Sequence, residues 1–446
     1  MHNFGRADQV DRDGLKRLVD SINRVLDQSD TVIRGAQEIP QIELDRVFEL
    51  GVVLAARALW KELGIGEAIR TRLTRAHLSA PHEMALFAMA AQRLDDPGSK
   101  LGCATRWLPD IAWLPEAEKL AVDQLYRALD FLAVWSEEIE RTVFLRSADL
   151  LRLDADLIFY DTTTAYFEID EPDEHCELWG GRLFAPLRQR GHSKEGRDAN
   201  PQVVIAMAVT RDGMPARSWV LPGNTADVAT VARVKQDLHA WRLGRCLFVG
   251  DAAMHSADNL AEPSRGLGRH VLAVPMRRVG EVEAEVLSRP GRYRKVADNL
   301  EVKEVWVGDG ERRKRYVLCF NPAEAVALAY KSGAIIESCF RRMKQTGLEV
   351  RPMFHWAPRR IEAHVKLCVL ALQVQRTAEI RTGLPWARIA RLLGTLKAVR
   401  HLTERQTIVQ RTKIGPELAG PLKQLGISAP KQVMAVIEAA ETPATS

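Results

Sequence analysis

Two aspartates stand directly after short apolar segments, where they could serve metal-ion chemistry. Asp161 follows Leu157–Tyr160, and Asp251 follows Cys246–Gly250. Ligand groups gather at the carboxyl ends of strands in an open sheet, so adjacent strands would bring the two carboxylates together. Close carboxylates raise each other's pKa unless they share a proton or a cation. The alternative for each aspartate is to cap the loop or helix after it by accepting backbone hydrogen bonds.

A third carboxylate comes from a predicted helix that begins near Pro322. Tyr330, Glu337 and Lys344 are seven residues apart and therefore share one helix face. An adjoining apolar stripe consists of Ile336, Phe340 and Met343. Packing of this stripe on the sheet would direct Glu337 toward the strand ends. The alternative for Glu337 is an ordinary i,i+4 ion pair with Arg341.

Asp161, Asp251 and Glu337 are together three hard oxygen donors from separate elements, which suits a two-Mg²⁺ site. Such a site catalyses in-line phosphoryl displacement, and Mn²⁺ could substitute for Mg²⁺. Basic side chains near Glu337 would hold a phosphate backbone through salt-sensitive contacts. These are Arg341, Arg342, Lys344, Arg351, Arg359 and Arg360. The predicted substrate is DNA or RNA.

The charge distribution agrees with a polyanionic partner. The chain has 63 Lys and Arg against 58 Asp and Glu, but residues 331–413 alone have 17 against 5. A basic segment on an otherwise mildly acidic chain favours contact with a polyanion. A solvated helical face explains the same surplus.

Composition excludes several classes of protein. The 446 residues are 46% hydrophobic and 27% charged, which is typical of globular domains. No apolar run is long enough to span a membrane, and the N-terminus lacks the pattern of a secretory signal. Six cysteines without a C-x-x-C pair indicate reduced thiols and a cytoplasmic protein. No G-x-S-x-G, H-E-x-x-H or phosphate-cradling GK[ST] motif occurs, which argues against serine hydrolases, zincins and P-loop NTPases.

The pattern of apolar residues predicts an α/β protein with a mixed sheet flanked by helices. Residues 202–210 and 217–221 are predicted to form a hairpin around the turn 211–213, with a helix from Asp227 and strands at 246–250 and 270–274. A long helix is predicted over 358–381.

Several stretches, in their order and spacing, resemble the DDE transposases of bacterial insertion sequences, in the group with a Tyr-Arg-Glu-Lys signature. The stretches are Phe159–Thr164, Arg190–Lys194, Leu221–Asp227, Val249–Asp251, Tyr330 with Glu337 and Lys344, Leu348–Trp356 and Arg359–His364. The resemblance covers roughly residues 150–380.

The resemblance implies a ribonuclease H-like catalytic core. Asp161, Asp251 and Glu337 would be its catalytic, metal-binding triad. Tyr330 and Lys344 would lie near the DNA backbone, and we expect further DNA contacts from Arg341, Arg342 and Lys194. The expected activity is Mg²⁺-dependent cleavage at the ends of an element and strand transfer to target DNA. A homodimer on terminal inverted repeats is the expected assembly.

This reading divides the chain into five regions. They are a helical, candidate end-binding region at 1–150, the first part of the core at 151–280, a short β-rich insertion at 281–320, the helical completion of the core at 321–382 and a helical tail at 383–446.

The sequence departs from the family pattern at several positions. Gly333 occupies the signature's Arg position, Ala252-Ala253 follows the second Asp, and only 85 residues separate Asp251 from Glu337, so the insertion is short. Trp306 in this insertion could stack on a base or pack in a core. Two alternatives follow: an internally deleted copy that only binds DNA, or a Mg²⁺-dependent nuclease without strand transfer.

Overall fold

The computed structural model describes most of the chain in two compact units. The described residues are 42–153, 157–241, 247–250, 254, 270–274, 280, 282–297, 300–309, 313–320, 334–344, 348–351, 353–403 and 405–438. The larger unit comprises the described residues within 47–398 and 411–432, and the smaller unit those within 42–46, 399–410 and 433–438. Asp251, Tyr330 and Gly333 lie outside the described residues.

Helices predominate between residues 51 and 150, and strands and helices both occur after residue 157. The helices are α1 (Gly51–Glu62), α2 (Ile65–Arg75), α3 (His82–Asp95), α4 (Val122–Leu150), α5 (Asp227–Ala240), α6 (Ala334–Lys344), α7 (Pro358–Thr382), α8 (Trp386–Leu393) and α9 (Pro416–Gln424). The strands are β1 (Glu43–Glu49), β2 (Leu157–Tyr166), β3 (Glu177–Trp179), β4 (Arg182–Phe184), β5 (Gln202–Thr210), β6 (Pro215–Pro222), β7 (Leu247–Gly250), β8 (His270–Leu272), β9 (Arg294–Ala297), β10 (Leu300–Val307), β11 (Lys314–Phe320), β12 (Lys397–Leu402), β13 (Gln406–Arg411) and β14 (Val433–Glu438). Shorter helical turns cover Lys100–Gly102, Cys103–Ile111, Pro115–Ala117 and Val282–Leu287. Within the described ranges, no helix has the length and apolar character needed to cross a bilayer.

A five-stranded mixed sheet lies at the centre of the larger unit, in the order β6-β5-β2-β7-β8. The pairs β6–β5 and β5–β2 are antiparallel, whereas β2–β7 and β7–β8 are parallel. The predicted mixed sheet flanked by helices is therefore confirmed, as is the β5–β6 hairpin. Gly213 in its turn adopts φ +72°, a left-handed conformation that costs a glycine no steric penalty.

Strand β2 is longer than the sequence analysis predicted. Asp161 was expected at the end of its strand, but β2 continues for five residues beyond it and pairs with β5 as far as Tyr166. The reason is the β-branched run Thr162–Thr164, because such side chains fit a pleated, half-buried surface. Asp161 therefore lies inside a strand, and the argument from strand ends was wrong for this residue.

The two faces of the sheet carry different layers. Tyr160 and Trp219 pack with Val231 and Val234 of α5 in an apolar cluster on one face. Asp161 is registered with Met207, and Met207 with Ser218, so these three side chains share the opposite face. The α7 helix covers that face, since the Lys366 ammonium bonds to Ser218.

The predicted helical tail contains strands as well as helices. Strands β12, β13 and β14 follow β1 in a four-stranded sheet, most of which belongs to the smaller unit. Their sequences include short β-branched runs such as Thr407–Val409, which the helical interpretation overlooked. β1 is the neighbour of β12 in this sheet, and the ion pair of Glu49 with Lys397 joins residues 348 positions apart, beyond the reach of a local pattern.

The β-rich segment near residue 300 forms a separate three-stranded antiparallel sheet, β11-β10-β9. Val305 and Val307 turn inward onto the helical turn Val282–Leu287. Trp306 is instead 42% exposed, with the guanidinium of Arg313 4.5 Å from its ring centre. Core packing therefore does not account for Trp306.

A buried ion pair joins the helices to the main sheet. The Lys366 ammonium of α7 donates to Glu140 Oε2 of α4 at 2.8 Å and to the Ser218 carbonyl of β6 at 2.6 Å. Ser218 also donates its hydroxyl to Glu140. All three side chains are buried. Removal of one partner would leave an uncompensated charge in the interior.

A second buried contact holds the segment between α6 and α7. The Lys100 amine lies 2.8 Å from His364 Nδ1, and His364 Nε2 lies 3.1 Å from the Val350 carbonyl. Burial lowers the pKa of Lys100 to about 7, with the nearby Arg93 guanidinium acting in the same direction. Burial also lowers the pKa of His364 well below its usual value. Both ring nitrogens of His364 therefore have partners within the core.

We expect Lys366→Met to lower the free energy of unfolding by about 3–5 kcal/mol, because Glu140 would remain buried without its cation. Equilibrium unfolding in urea measures this change. The double variant Lys366→Met with Glu140→Met should recover much of the loss. A single variant within about 1 kcal/mol of the unmodified protein would contradict the assigned role.

We expect the Lys100 amine to make the protein more stable as pH rises. The unfolded chain holds this proton up to about pH 10.5, and the folded chain only to about pH 7. Unfolding between these values takes up a proton, so the free energy of unfolding rises by about 1.4 kcal/mol per pH unit from this group. Urea unfolding between about pH 7 and 10 should show a steeper rise for the unmodified protein than for Lys100→Met. If the free energy of unfolding depends on pH equally in the two proteins, the assigned role of Lys100 is wrong.

Candidate active site

Asp161 and three neighbouring residues form a compact polar cluster. The Lys194 ammonium donates to the Thr162 carbonyl at 2.8 Å and to Thr162 Oγ1 at 2.7 Å. It lies 3.2 Å from Asp227 Oδ2 and 3.6 Å from Asp161 Oδ1. Thr162 Oγ1 in turn donates to Asp227 Oδ1 at 2.5 Å. One ammonium thus lies between two carboxylates.

The three parts of the cluster come from three separate segments of the sequence. Asp161 lies on β2, Lys194 in the loop before β5, and Asp227 is the first residue of α5. The Thr162 backbone N–H donates to Asp161 Oδ1 at 2.7 Å, which fixes this carboxylate on the strand. The position of Asp227 stabilises its negative charge, because the N-terminus of a helix favours an anion.

Two glycines allow the loops that carry Lys194 and Asp227 to approach each other. A Cβ on Gly191 would lie 2.2 Å from the Gly223 carbonyl oxygen, and a Cβ on Gly223 would lie 2.1 Å from that of Gln202. The Gln202 side chain also donates to the Gly223 carbonyl at 3.1 Å. This backbone-to-backbone packing locks the loops together at one end of β5. Any larger residue would push them apart.

Tyr160 ties α5 to β2 next to the cluster. Its hydroxyl donates to Thr230 Oγ1 at 2.7 Å, and Thr230 donates to the Asp227 carbonyl at 2.6 Å. Burial raises the pKa of Tyr160, so its hydroxyl stays protonated and remains a donor. The first turn of α5, which contains Asp227, is therefore anchored to the strand that carries Asp161.

The cluster continues through Glu195 to the end of α6. Glu195 accepts from Lys344 at 2.6 Å and from Arg351 at 2.7 Å. The Arg351 guanidinium also lies 4.6 Å from the ring centre of Tyr166. Only 9% of the Lys344 side chain is exposed, and this burial lowers the pKa of Lys344 although its bond to Glu195 opposes the shift. Lys344 thus contacts Glu195, the residue that follows Lys194.

Glu337 has an exposed carboxylate. The apolar stripe of α6 packs inward as predicted, since Ile336, Phe340 and Met343 are buried. Glu337 forms the i,i+4 pair with Arg341 at 3.2 Å, and 57% of its side chain is exposed. This ion pair with Arg341 is the alternative role that the sequence predicted for Glu337. Its assignment as a metal ligand stays a prediction.

The basic side chains expected to hold phosphate all have carboxylate partners. Besides the pairs already described, Arg342 bonds to Glu379, and both Arg359 and Arg360 bond to Asp130. Much of the positive charge of residues 331–413 is therefore balanced by acids of the same chain. The predicted DNA contacts of Arg341, Arg342, Lys344 and Lys194 stay predictions.

Two predicted site residues, Asp251 and Tyr330, cannot be related to this geometry, since both lie outside the described residues. The register of β7 on β2 is described as far as the pair Phe159–Val249. Among the residues that the structure describes, no group of three or more His, Cys, Asp or Glu could hold a metal ion.

Sequence reasoning gave no role to Asp227, Glu195 or Thr162. The signals available for the first two were their positions at or beside the ends of the quoted stretches Leu221–Asp227 and Arg190–Lys194. Only the fold shows that these stretches meet at β2.

Comparison with known proteins gives little further information. No protein-family model matches the chain, and no curated protein matches it. Among solved structures, the chain is similar to that titled as the cryo-EM structure of the piggyBac transposase synaptic complex with hairpin DNA. The identity is 11% and the TM-score 0.36, over 77% of this chain and 79% of the other. A likeness of this size does not establish a shared fold.

We expect Gly223→Ala to lower the free energy of unfolding by about 1–3 kcal/mol, because the new methyl group would meet backbone oxygens that cannot move aside. Urea unfolding measures the loss. Gly420→Ala is the matched control. Gly420 lies within α9 with nothing within 4 Å of the added Cβ, so alanine should stabilise the protein by up to about 1 kcal/mol. Equal effects of the two substitutions would contradict the close approach.

Proposed function

We propose that the protein is a DNA transposase of the DDE type, which cleaves at the ends of a mobile element and joins them to target DNA. The observation that carries this proposal is the meeting of Asp161, Lys194 and Asp227 in one cluster. Each belongs to a different stretch of the family resemblance. Stretches that lie far apart in the sequence but converge on one carboxylate are what a shared active site would require.

The donors near Asp161 suit a hard divalent cation. The cluster offers carboxylate, hydroxyl and carbonyl oxygens, and it already surrounds a positive charge, the Lys194 ammonium. Mg²⁺ prefers such oxygens and keeps several of its waters. Asp161, Asp251 and Glu337 are the residues proposed to hold it, and Mn²⁺ could take its place. When bound, the metal would activate a water or a 3′-hydroxyl and stabilise the leaving oxygen.

The sequence positions of the two aspartates support this triad. Phe159 and Val249 are registered neighbours on parallel strands, and Asp161 and Asp251 each follow their member of the pair by two residues. The mixed sheet is also compatible with the proposed ribonuclease H-like core.

Glu337 is the third proposed ligand, and its helix supports that role. Glu337 and Lys344 are separated by two helical turns, or about 10 Å along the axis. Lys344 bonds to Glu195, the neighbour of Lys194. The exposed Glu337 carboxylate forms a surface ion pair with Arg341, which contributes little stability and can exchange for a metal ligand.

The chain's own residues would also position the nucleic acid. Trp306, exposed and flanked by Arg313, is suited to stack on a base. Arg341, Arg342, Lys344 and Lys194, with Tyr330, are the backbone contacts that the resemblance and the charge pattern propose. A homodimer on terminal inverted repeats completes the proposal.

The same observation on Glu337 also favours a second candidate, a catalytically impaired copy that only binds DNA. A metal ligand that stays paired with Arg341 would leave the triad incomplete. A nuclease without strand transfer is a third outcome.

We expect purified protein to nick a plasmid that carries the coding sequence with its native flanking DNA, at the borders of the element and only with Mg²⁺ or Mn²⁺. Asp161→Asn should reduce nicking by at least about 100-fold, because it removes a proposed metal-binding charge. Asp212→Asn, in the exposed β5–β6 turn, removes the same charge elsewhere and should leave nicking unchanged.

Each of the remaining possible results of this nicking assay points to a different conclusion. Binding of the flanking DNA without nicking, in either metal, would establish the impaired copy. Nicking without joined product would establish the nuclease. Nicking that persists in Asp161→Asn would overturn the proposed triad.

A further inference from the structure

We infer that Lys194 is a positioning residue for Asp161: its ammonium serves as the counter-ion of this carboxylate in the metal-free protein and competes with a divalent cation for it. This inference rests on the proposed function, which makes Asp161 a metal ligand. It also gives Asp227 a role, as the acid that keeps the ammonium in place.

Oxygen atoms of the protein surround the Lys194 ammonium. An ammonium has three N–H donors. Two of them donate to the Thr162 carbonyl and to Thr162 Oγ1, at 2.8 and 2.7 Å, and Asp227 Oδ2 forms an ion pair with the Lys194 nitrogen at 3.2 Å. In the protein without DNA, the Lys194 ammonium is therefore a partner of the oxygen atoms around Asp161.

The contact of Lys194 with Asp161 differs from its contacts with Thr162 and Asp227. At 3.6 Å, Asp161 Oδ1 is too far from the Lys194 nitrogen for a hydrogen bond, so the attraction between them is Coulombic. The Asp161 carboxylate can therefore exchange the ammonium for a metal ion without breaking any hydrogen bond of Lys194, while Oδ1 keeps its bond from the Thr162 backbone N–H. The Lys194 backbone N–H also bonds to Thr164 Oγ1 at 3.1 Å, so residue 194 is fixed to β2 independently of its ammonium.

The charges set the direction of the effect. Asp161 and Asp227 carry two negative charges, and Lys194 balances one of them. Side-chain exposures of 26% for Asp161, 18% for Asp227 and 34% for Lys194 place the group near the surface but partly out of water, where such charges still interact. A divalent cation at Asp161 is repelled by the ammonium, so a neutral residue 194 should strengthen metal binding.

The test is a titration of the full chain with Mn²⁺, without DNA, followed by electron paramagnetic resonance of the free ion. We expect Lys194→Met to bind Mn²⁺ roughly tenfold more tightly than the unmodified protein, since one repulsive charge is removed. Lys194→Arg keeps the charge and should restore the original affinity. Lys119→Met removes an exposed lysine outside the cluster and should change nothing.

Asp227→Asn supplies a second test that does not depend on Lys194→Met folding correctly. It leaves the ammonium with one acid fewer, and we expect Mn²⁺ affinity to fall by roughly tenfold. Thermal unfolding of each variant, followed by circular dichroism, shows whether the fold is intact.

The outcomes separate this inference from the proposed function. Mn²⁺ binding that is lost in Asp161→Asn but unchanged or weaker in Lys194→Met would overturn the role of Lys194 and leave the proposed metal site standing. Absence of Mn²⁺ binding in the unmodified protein would overturn both. Tighter binding in Lys194→Met, restored by Lys194→Arg, supports the inference even if the protein cleaves no DNA.

Discussion

The contact of the Lys366 ammonium with Glu140 and Ser218 fixes the layers on which the site depends. It joins α4, α7 and β6 through one buried nitrogen. Ser218 lies two strands from Asp161 in the same row across the sheet, so α7 is held over the face that carries Asp161. Burying a charge pair costs desolvation free energy, and the geometry must be good to compensate. The hydrogen bonds among Lys366, Glu140 and Ser218 supply that geometry.

The excess of positive charge near the C-terminus has a largely internal explanation. Asp130, Glu62 and Glu140 lie on the early helices, and their partners Arg359, Arg360, Arg381 and Lys366 all lie on α7. A helix that is buried on most sides can carry cations only where acids meet them. Net charge along the sequence therefore reports packing between the chain's own parts, in addition to any attraction for a polyanion. The two alternatives drawn from charge alone, a nucleic-acid surface and a solvated face, both omitted this third one.

How far the sequence predicted the structure depended on whether the signal was local. The β5–β6 hairpin, the start of α5 and the buried stripe of α6 follow from turn residues and apolar periodicity, and the structure has them. The length of β2 was underestimated, because an aspartate was taken as a strand end although the threonines after it continue the pairing. The C-terminal strands were missed because their short β-branched runs were taken as helical, and the pairing of β12 with the distant β1 gives no local signal. Asp227 lies in the site because the loops that contain Gly191 and Gly223 contact each other. The spacing of residues within a single segment of sequence does not predict such a contact.

The long separation between acids and their cations has a consequence for how the protein is made. Asp130, Glu140 and Glu62 leave the ribosome more than 220 residues before the arginines and lysine that neutralise them. At bacterial or eukaryotic rates of synthesis, that interval lasts on the order of ten seconds or more. The early helices cannot close into their final packing during that time, because α7 has not yet been translated. The nascent chain must therefore be kept from aggregating until nearly all of the larger unit has emerged, and a message truncated before α7 would yield a product without a stable interior.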